Sequence, residues 1–177
     1  MCRRRRWATV VGLLGLCLWA LAGMVQMPVA DAQTLPSRGA SGLPLPRFVS
    51  IAATRANLRA GPGRQYPIDW VYVRAGTPLK VIAEFGQWRQ VRDIDGTTGW
   101  MHKSLLSGRR TAVVVGKRQT VHAEPELSSR VVLYVDPRVV VELRQCGGGW
   151  CRIKVGDYSG WIPRRFLWGA ASIEPIG

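Results

Sequence analysis

The residues best able to react are the four cysteines, Cys2, Cys17, Cys146 and Cys151, and the two histidines, His102 and His122. A cysteine nucleophile needs a thiolate beside an imidazole. Cys2 and Cys17 lie in an N-terminal leader described below, which leaves an even pair. In an exported chain that pair implies a Cys146–Cys151 disulfide, which takes both thiols out of reach of such chemistry. Four residues separate them, not the two of a CxxC redox site, and no further ligands lie nearby to complete a metal site. Neither histidine lies in a nucleophile motif such as G-x-S-x-G, and no HExxH occurs. Asp93 and Asp95 mimic a carboxylate pair, but residues of this type beside Gly96 favour a turn. No glycine-rich phosphate loop precedes a helix; Gly147-Gly148-Gly149 sits inside the cysteine loop and relaxes that hairpin. The sequence therefore predicts no catalytic residue, no metal and no cofactor.

What remains is a chemistry of contact, carried by aromatic and basic side chains. Side chains alternate along a strand. In Trp88-Arg89-Gln90-Val91, Val91 is expected to face a core and Trp88 the opposite face or a rim. The same parity turns Cys151, Ile153, Met101 and Ile162 inward, with Trp150, Trp100 and Trp161 elsewhere. Exposed aromatic rings beside arginine stack on sugars, prolines or peptide planes. Arg59, Arg64, Tyr66, Trp70, Trp88 and Trp100 form the candidate ligand surface. The structural alternative is that these rings close the ends of small β-units or pack one unit on another.

The elements that must position them begin after a targeting segment. Arg3 to Arg6 form a basic n-region, Trp7 to Val25 is apolar and uncharged, and Ala30-Asp31-Ala32 is an A-x-A site. Residues 1–32 read as a signal peptide cleaved before Gln33; the long apolar run also fits an uncleaved inner-membrane anchor. Arg5-Arg6 fits a twin-arginine signal poorly, and Leu16 is too large for a usual lipobox before Cys17. Residues 33–53, with Pro36, Pro44 and Pro46, read as a flexible linker, and residues 170–177 as a tail.

Between them the chain repeats. Trp88 matches Trp150, Gly99-Trp100 matches Gly160-Trp161, and Leu105-Leu106 matches Phe166-Leu167, all at an offset of 61 or 62 residues. Short β-branched and aromatic runs fill each unit: 68–74, 78–85, 87–93 and 97–102, then 130–135, 139–145, 150–155 and 159–163. Asp95-Gly96 marks a hairpin between two of them. Units of about 55 residues are marginal alone. The staple at the cysteines and the short strand-like connection 109–115 favour two units packed together.

Asn57-Leu58-Arg59-Ala60-Gly61-Pro62-Gly63, with Trp88-Arg89-Gln90-Val91, Gly99-Trp100-Met101 and Leu105-Leu106, resembles the bacterial SH3-like (SH3b) domains. The resemblance covers residues 54–108 well and 109–169 from Trp150 on, where Glu124-Pro125-Glu126 replaces Gly-Pro-Gly. It implies an all-β fold of two tandem SH3-like small β-barrels after an N-terminal signal-peptide helix. It also implies an exported, periplasmic or envelope location and a non-catalytic role. The partner would be a cell-wall peptide or glycan, or else an envelope protein bound by an adaptor without wall affinity. Gly61 and Gly63 are expected to take positive φ in a tight turn. SH3b modules often accompany hydrolases, but no sequence is left over after the linker for one.

Charge narrows the partners further. The chain carries 25 Lys+Arg against 11 Asp+Glu, a net charge of +14. Without residues 1–32, which hold four Arg and Asp31, it is still +11. Such a field favours anionic partners, including electrostatic contact with an anionic membrane surface. Export argues against nucleic acid.

Overall fold

A strand with one apolar face needs a cover for that face and a neighbour for its N–H and C=O groups. Short strands joined by tight turns meet both needs by curling into small barrels. The computed structural model of the chain describes residues 37–170. Among them there are strands and two single-turn 3-10 helices, Lys103–Leu105 and Arg164–Phe166, and no α-helix. No helix among the described residues is long and apolar enough to cross a membrane. The expected signal peptide 1–32 and residues 171–177 of the expected tail lie outside the described residues.

The strands run β1 (Ser37–Arg38), β2 (Pro44–Leu45), β3 (Arg47–Ile51), β4 (Ala56–Arg59), β5 (Ile68–Tyr72), β6 (Pro78–Phe85), β7 (Trp88–Arg92), β8 (Thr98–His102) and β9 (Leu106–Ser107). They continue as β10 (Thr111–Val114), β11 (Gln119–His122), β12 (Val131–Val135), β13 (Val140–Gly147), β14 (Trp150–Val155), β15 (Tyr158–Pro163) and β16 (Leu167–Trp168). One sheet is ordered β5-β4-β8-β7-β6-β3-β9 and the other β12-β11-β15-β14-β13-β10-β16, so each strand of the first has a counterpart in the second. The fold is all-β, as the resemblance implied.

Each curled sheet encloses its own core. Leu58, Leu79, Val81, Val91 and Met101 fill the first, and Val121, Val141, Cys151, Ile153 and Ile162 the second. Burying a side chain of this size stabilises the fold by roughly 1.5–3 kcal/mol. The barrels are tight where β8 crosses β4 and β15 crosses β11. A Cβ on Gly99 would stand 2.6 Å from Leu58 Cγ and 3.0 Å from the Arg59 carbonyl oxygen. One on Gly160 would stand 2.7 Å from the His122 carbonyl oxygen. Only a bare backbone fits at either crossing.

Three expectations need correction. The stretch 33–53, expected as a linker, holds a β1–β2 hairpin from Ser37 on and a strand of the first barrel from Arg47 on. β3 pairs with β6 and β9, and Ile51 and Leu45 are buried in the core. Pro44 opens β2 and pairs with Arg38, and Pro46 falls between β2 and β3, so neither interrupts the pairing of β3. Glu84 ties that hairpin down: its carboxylate accepts from the Ser41 amide at 2.7 Å and the Ser41 hydroxyl at 2.8 Å. Arg47 at 2.5 Å and Arg89 at 3.1 Å complete the ion-pair network.

Second, Ala56–Arg59, outside the expected β-runs, is strand β4, and the loop begins after it. Third, neither Gly61 nor Gly63 has positive φ. They are glycines for room: a Cβ on Gly61 would lie 2.5 Å from the Tyr66 ring. Positive φ occurs instead at Gly148 and Gly149, in the turn closed by the Cys146–Cys151 disulfide. In the β7–β8 turn Asp93 takes the structural role, its Oδ1 accepting from the amides of Asp95 and Thr97.

The two barrels belong to one compact unit. Phe48 of β3 meets Trp168 of β16 edge to face, with ring centroids 5.1 Å apart. Asp95 pairs with Arg138 across the same junction.

Candidate functional site

Alternation along β4, β7 and β8 sends Leu58, Val91 and Met101 inward. It leaves Asn57, Arg59, Trp88, Gln90, Trp100 and His102 on the outer face, all half-buried. Register lines them up: Arg59 stands opposite Trp100, Trp100 opposite Gln90, and Trp88 opposite His102. A shallow cavity of about 160 Å³ opens here, lined by Asn57, Arg59, Arg64, Trp88, His102 and Ser104.

Each wall is fixed differently. Arg59 donates through Nη1 to the carbonyl oxygens of Arg64, at 3.1 Å, and Tyr66, at 2.7 Å, and so holds the loop after β4 in place. Trp88 and His102 meet edge to face with centroids 5.3 Å apart. The His102 Nδ1 lies 2.7 Å from Ser104 Oγ, and the Ser104 amide donates to it at 3.3 Å. This is the cap of the 3-10 turn, not a nucleophile–base pair, and no carboxylate hydrogen-bonds His102 among the described residues. The Arg64 guanidinium has no ion-pair or hydrogen-bond partner among the described residues. The cavity thus offers two guanidinium groups, one of them unengaged, beside an aromatic wall.

Of the six candidate residues, Arg59, Arg64 and Trp88 come together in the cavity. Trp100 shares the outer face but sits one row away. Tyr66 packs over Gly61 and remains 40% exposed. Trp70, on edge strand β5, is 56% exposed and apart from the cavity. Asn57, His102 and Ser104 were missed. Parity offered His102, since it lies two residues after Trp100 and therefore on the same face.

Residues 52–108 and 115–169 each match the model of the bacterial SH3 domain family. The chain belongs to the bacterial SH3 domain family. A protein of Bacillus subtilis (strain 168) named as an N-acetylmuramoyl-L-alanine amidase is 26% identical over 128 residues, which make up 66% of this chain and 24% of that protein. The chain spans about a quarter of that relative's length. Among solved structures, NlpC2 from Trichomonas vaginalis is similar at 15% identity and a TM-score of 0.33, over 70% of this chain and 48% of that one. An NlpC/P60 family protein from Bacillus cereus ATCC 10987 is similar at 13% identity and a TM-score of 0.30, over 68% and 55%.

The second SH3 domain departs from the first at the corresponding place. His122 occupies the position of Arg59, opposite Trp161. It is buried, its Nδ1 lies 3.2 Å from the Ser129 carbonyl oxygen and its Nε2 2.9 Å from Thr120 Oγ1. Trp150 stacks edge to face on His122 at 5.8 Å, where Trp88 of the first SH3 domain stacks on His102. The nearby cleft, about 390 Å³, is lined by Pro125, Gln145, Gly147, Gly148, Trp150 and Trp161, with no charged side chain. A second cleft there brings Trp150 beside Arg165, whereas the first SH3 domain sets two arginines, Arg59 and Arg64, beside Trp88. Among the described residues, no group of three or more His, Cys, Asp or Glu side chains is placed to hold a metal ion.

Proposed function

We propose that this chain is an exported, non-catalytic binding protein of the bacterial cell envelope that recognises a cell-wall peptide or glycan at the outer face of its first SH3 domain. The observation that carries the reading is the cavity of Arg59, Arg64, Trp88 and His102, in which cations and an aromatic ring converge. The relative named for a muramic acid–alanine bond supports the same ligand class. Trp88 supplies a flat apolar face for a sugar ring or a peptide plane. Arg64 supplies a charge-assisted bond to a carboxylate. Arg59 acts as a positioning residue, since its Nη1 already holds the loop that carries Arg64.

Sedimentation with purified sacculi tests this. Arg64→Glu and Trp88→Ala are each expected to weaken binding by roughly tenfold or more, as central interface residues do. Binding that survives in roughly 1 M salt, where the Debye length is about 3 Å, reports contact and not general charge attraction. If both variants fold and sediment as the parent does, this site is excluded.

A further inference from the structure

We infer that the groove between the two SH3 domains is a phosphate-binding site, separate from the Arg64–Trp88 cavity. The groove has a volume of about 350 Å³ and is composite. Arg74 and Gly76 come from the loop after β5 in the first domain. Arg109 comes from the connection, and Thr111, Glu142 and Lys154 from the second domain. Its size is that of a small-ligand cleft.

Charge in the groove is unbalanced. Glu142 is the one carboxylate among its lining residues, and it is already matched by Arg109 at 2.9 Å and Arg144 at 3.2 Å. Lys154 stands opposite Glu142 in the β13–β14 register and is a third cation on that one carboxylate, and Arg74 lines the groove with no acidic partner among the described residues. Thr111 is only 6% exposed, and its hydroxyl oxygen has no hydrogen-bond partner among the described residues. A buried hydroxyl without a partner is costly, and cations in excess of one carboxylate in a cleft repel each other.

A phosphate answers both the excess of positive charge and the unpaired hydroxyl. It carries up to two negative charges, and its oxygens accept from a guanidinium, an ammonium and a hydroxyl at once. A single carboxylate would leave positive charge behind, and a neutral sugar would satisfy none of the charge. Because Arg74 and Lys154 belong to different domains, the bound group also ties the two barrels together.

Titration of the full chain with inorganic phosphate at constant ionic strength, followed by amide NMR, tests the site. Saturable shifts are expected at Gly76, Thr111 and Gly156. The double variant R74A/K154A, which leaves the Arg109–Glu142 and Arg144–Glu142 ion pairs in place, is expected to weaken phosphate binding at least tenfold. Its melting temperature and its sacculus binding should be unchanged, since sacculus binding depends on Arg64 and Trp88. Vesicles of phosphatidylglycerol and of phosphatidylcholine distinguish the source of the phosphate. Binding to the former alone, abolished in the double variant, identifies a lipid headgroup. Phosphate binding without vesicle binding identifies a soluble phosphate compound. Absence of saturable shifts at those amides, or the same shifts in R74A/K154A, overturns the proposal.

Discussion

Arg138 grips Asp95 across the junction of the two SH3 domains, its guanidinium donating to both carboxylate oxygens at 2.8 and 2.6 Å. The hydrogen bonds and charge of Arg138 hold the exposed Asp95 carboxyl below its ordinary value. Arg138 does this from φ = 69°, a left-handed backbone that a side chain disfavours and glycine tolerates. Two costs therefore separate by substitution. Arg138→Ala loses the bridge and keeps the strain; Arg138→Gly loses the bridge and relieves the strain. In urea, Arg138→Ala is expected to melt at a lower midpoint than Arg138→Gly. Equal midpoints would show that the left-handed turn carries no cost.

Glu84 makes the N-terminal hairpin of the first barrel sensitive to acid. Burial by itself raises the Glu84 carboxyl, but the Ser41 amide, the Arg47 guanidinium and the Ser41 hydroxyl outweigh it and bring the pKa down to about 2. A carboxyl depressed from 4.5 to about 2 stabilises the fold fully above pH 4.5 and loses that contribution as pH falls through about 2. The Ser41 amide resonance is expected to titrate near pH 2. Glu84→Gln is expected to release the Ser41 amide to faster hydrogen exchange at pH 7. A Ser41 midpoint near 4.5 would contradict the network.

The Cys146–Cys151 disulfide closes the β13–β14 hairpin, and Cys151 lies in the second core. Closing so short a loop stabilises by about 2 kcal/mol through chain entropy. The paired substitution C146A/C151A, which leaves no free thiol, is expected to lower the stability of the second domain by at least that amount. Protection in β4, β7 and β8 should fall far less. Uniform loss across both domains would mean that they unfold as one unit.

Gly99→Ala and Gly160→Ala place a methyl group against a neighbouring strand, 2.6 Å from Leu58 Cγ in one case and 2.7 Å from a backbone oxygen in the other. Overpacking of this kind costs about 1–3 kcal/mol. Gly160→Ala is expected at the upper end, because the His122 backbone yields less than the Leu58 side chain. Denaturant melts of the two variants decide the order.

Much of the barrel was readable because a half-buried strand writes its two faces into alternate residues. Val91, Met101, Ile153 and Ile162 were placed inward on that basis, and all are buried. The hairpin at Asp95-Gly96 was readable because its turn residues have local preferences. Asn57, His102 and Ser104 were not found as site residues. They lie on β4, on β8 and beyond it, and meet only when β8 pairs with β4 and β7. The strand Arg47–Ile51 was hidden by prolines whose disruptive effect stops at Pro46.

Periodicity, turn chemistry and the repeated Gly-Trp pairs by themselves determined an all-β chain of two similar halves with inward and outward residues assigned, because these are properties of neighbours along the chain. Tertiary structure alone decided which outward residues share a cavity, that Trp150 covers His122 where the first domain leaves an opening, and that Arg74 and Lys154 line one groove. Those relations join residues many positions apart, and only strand register and the docking of two barrels bring them within reach of each other.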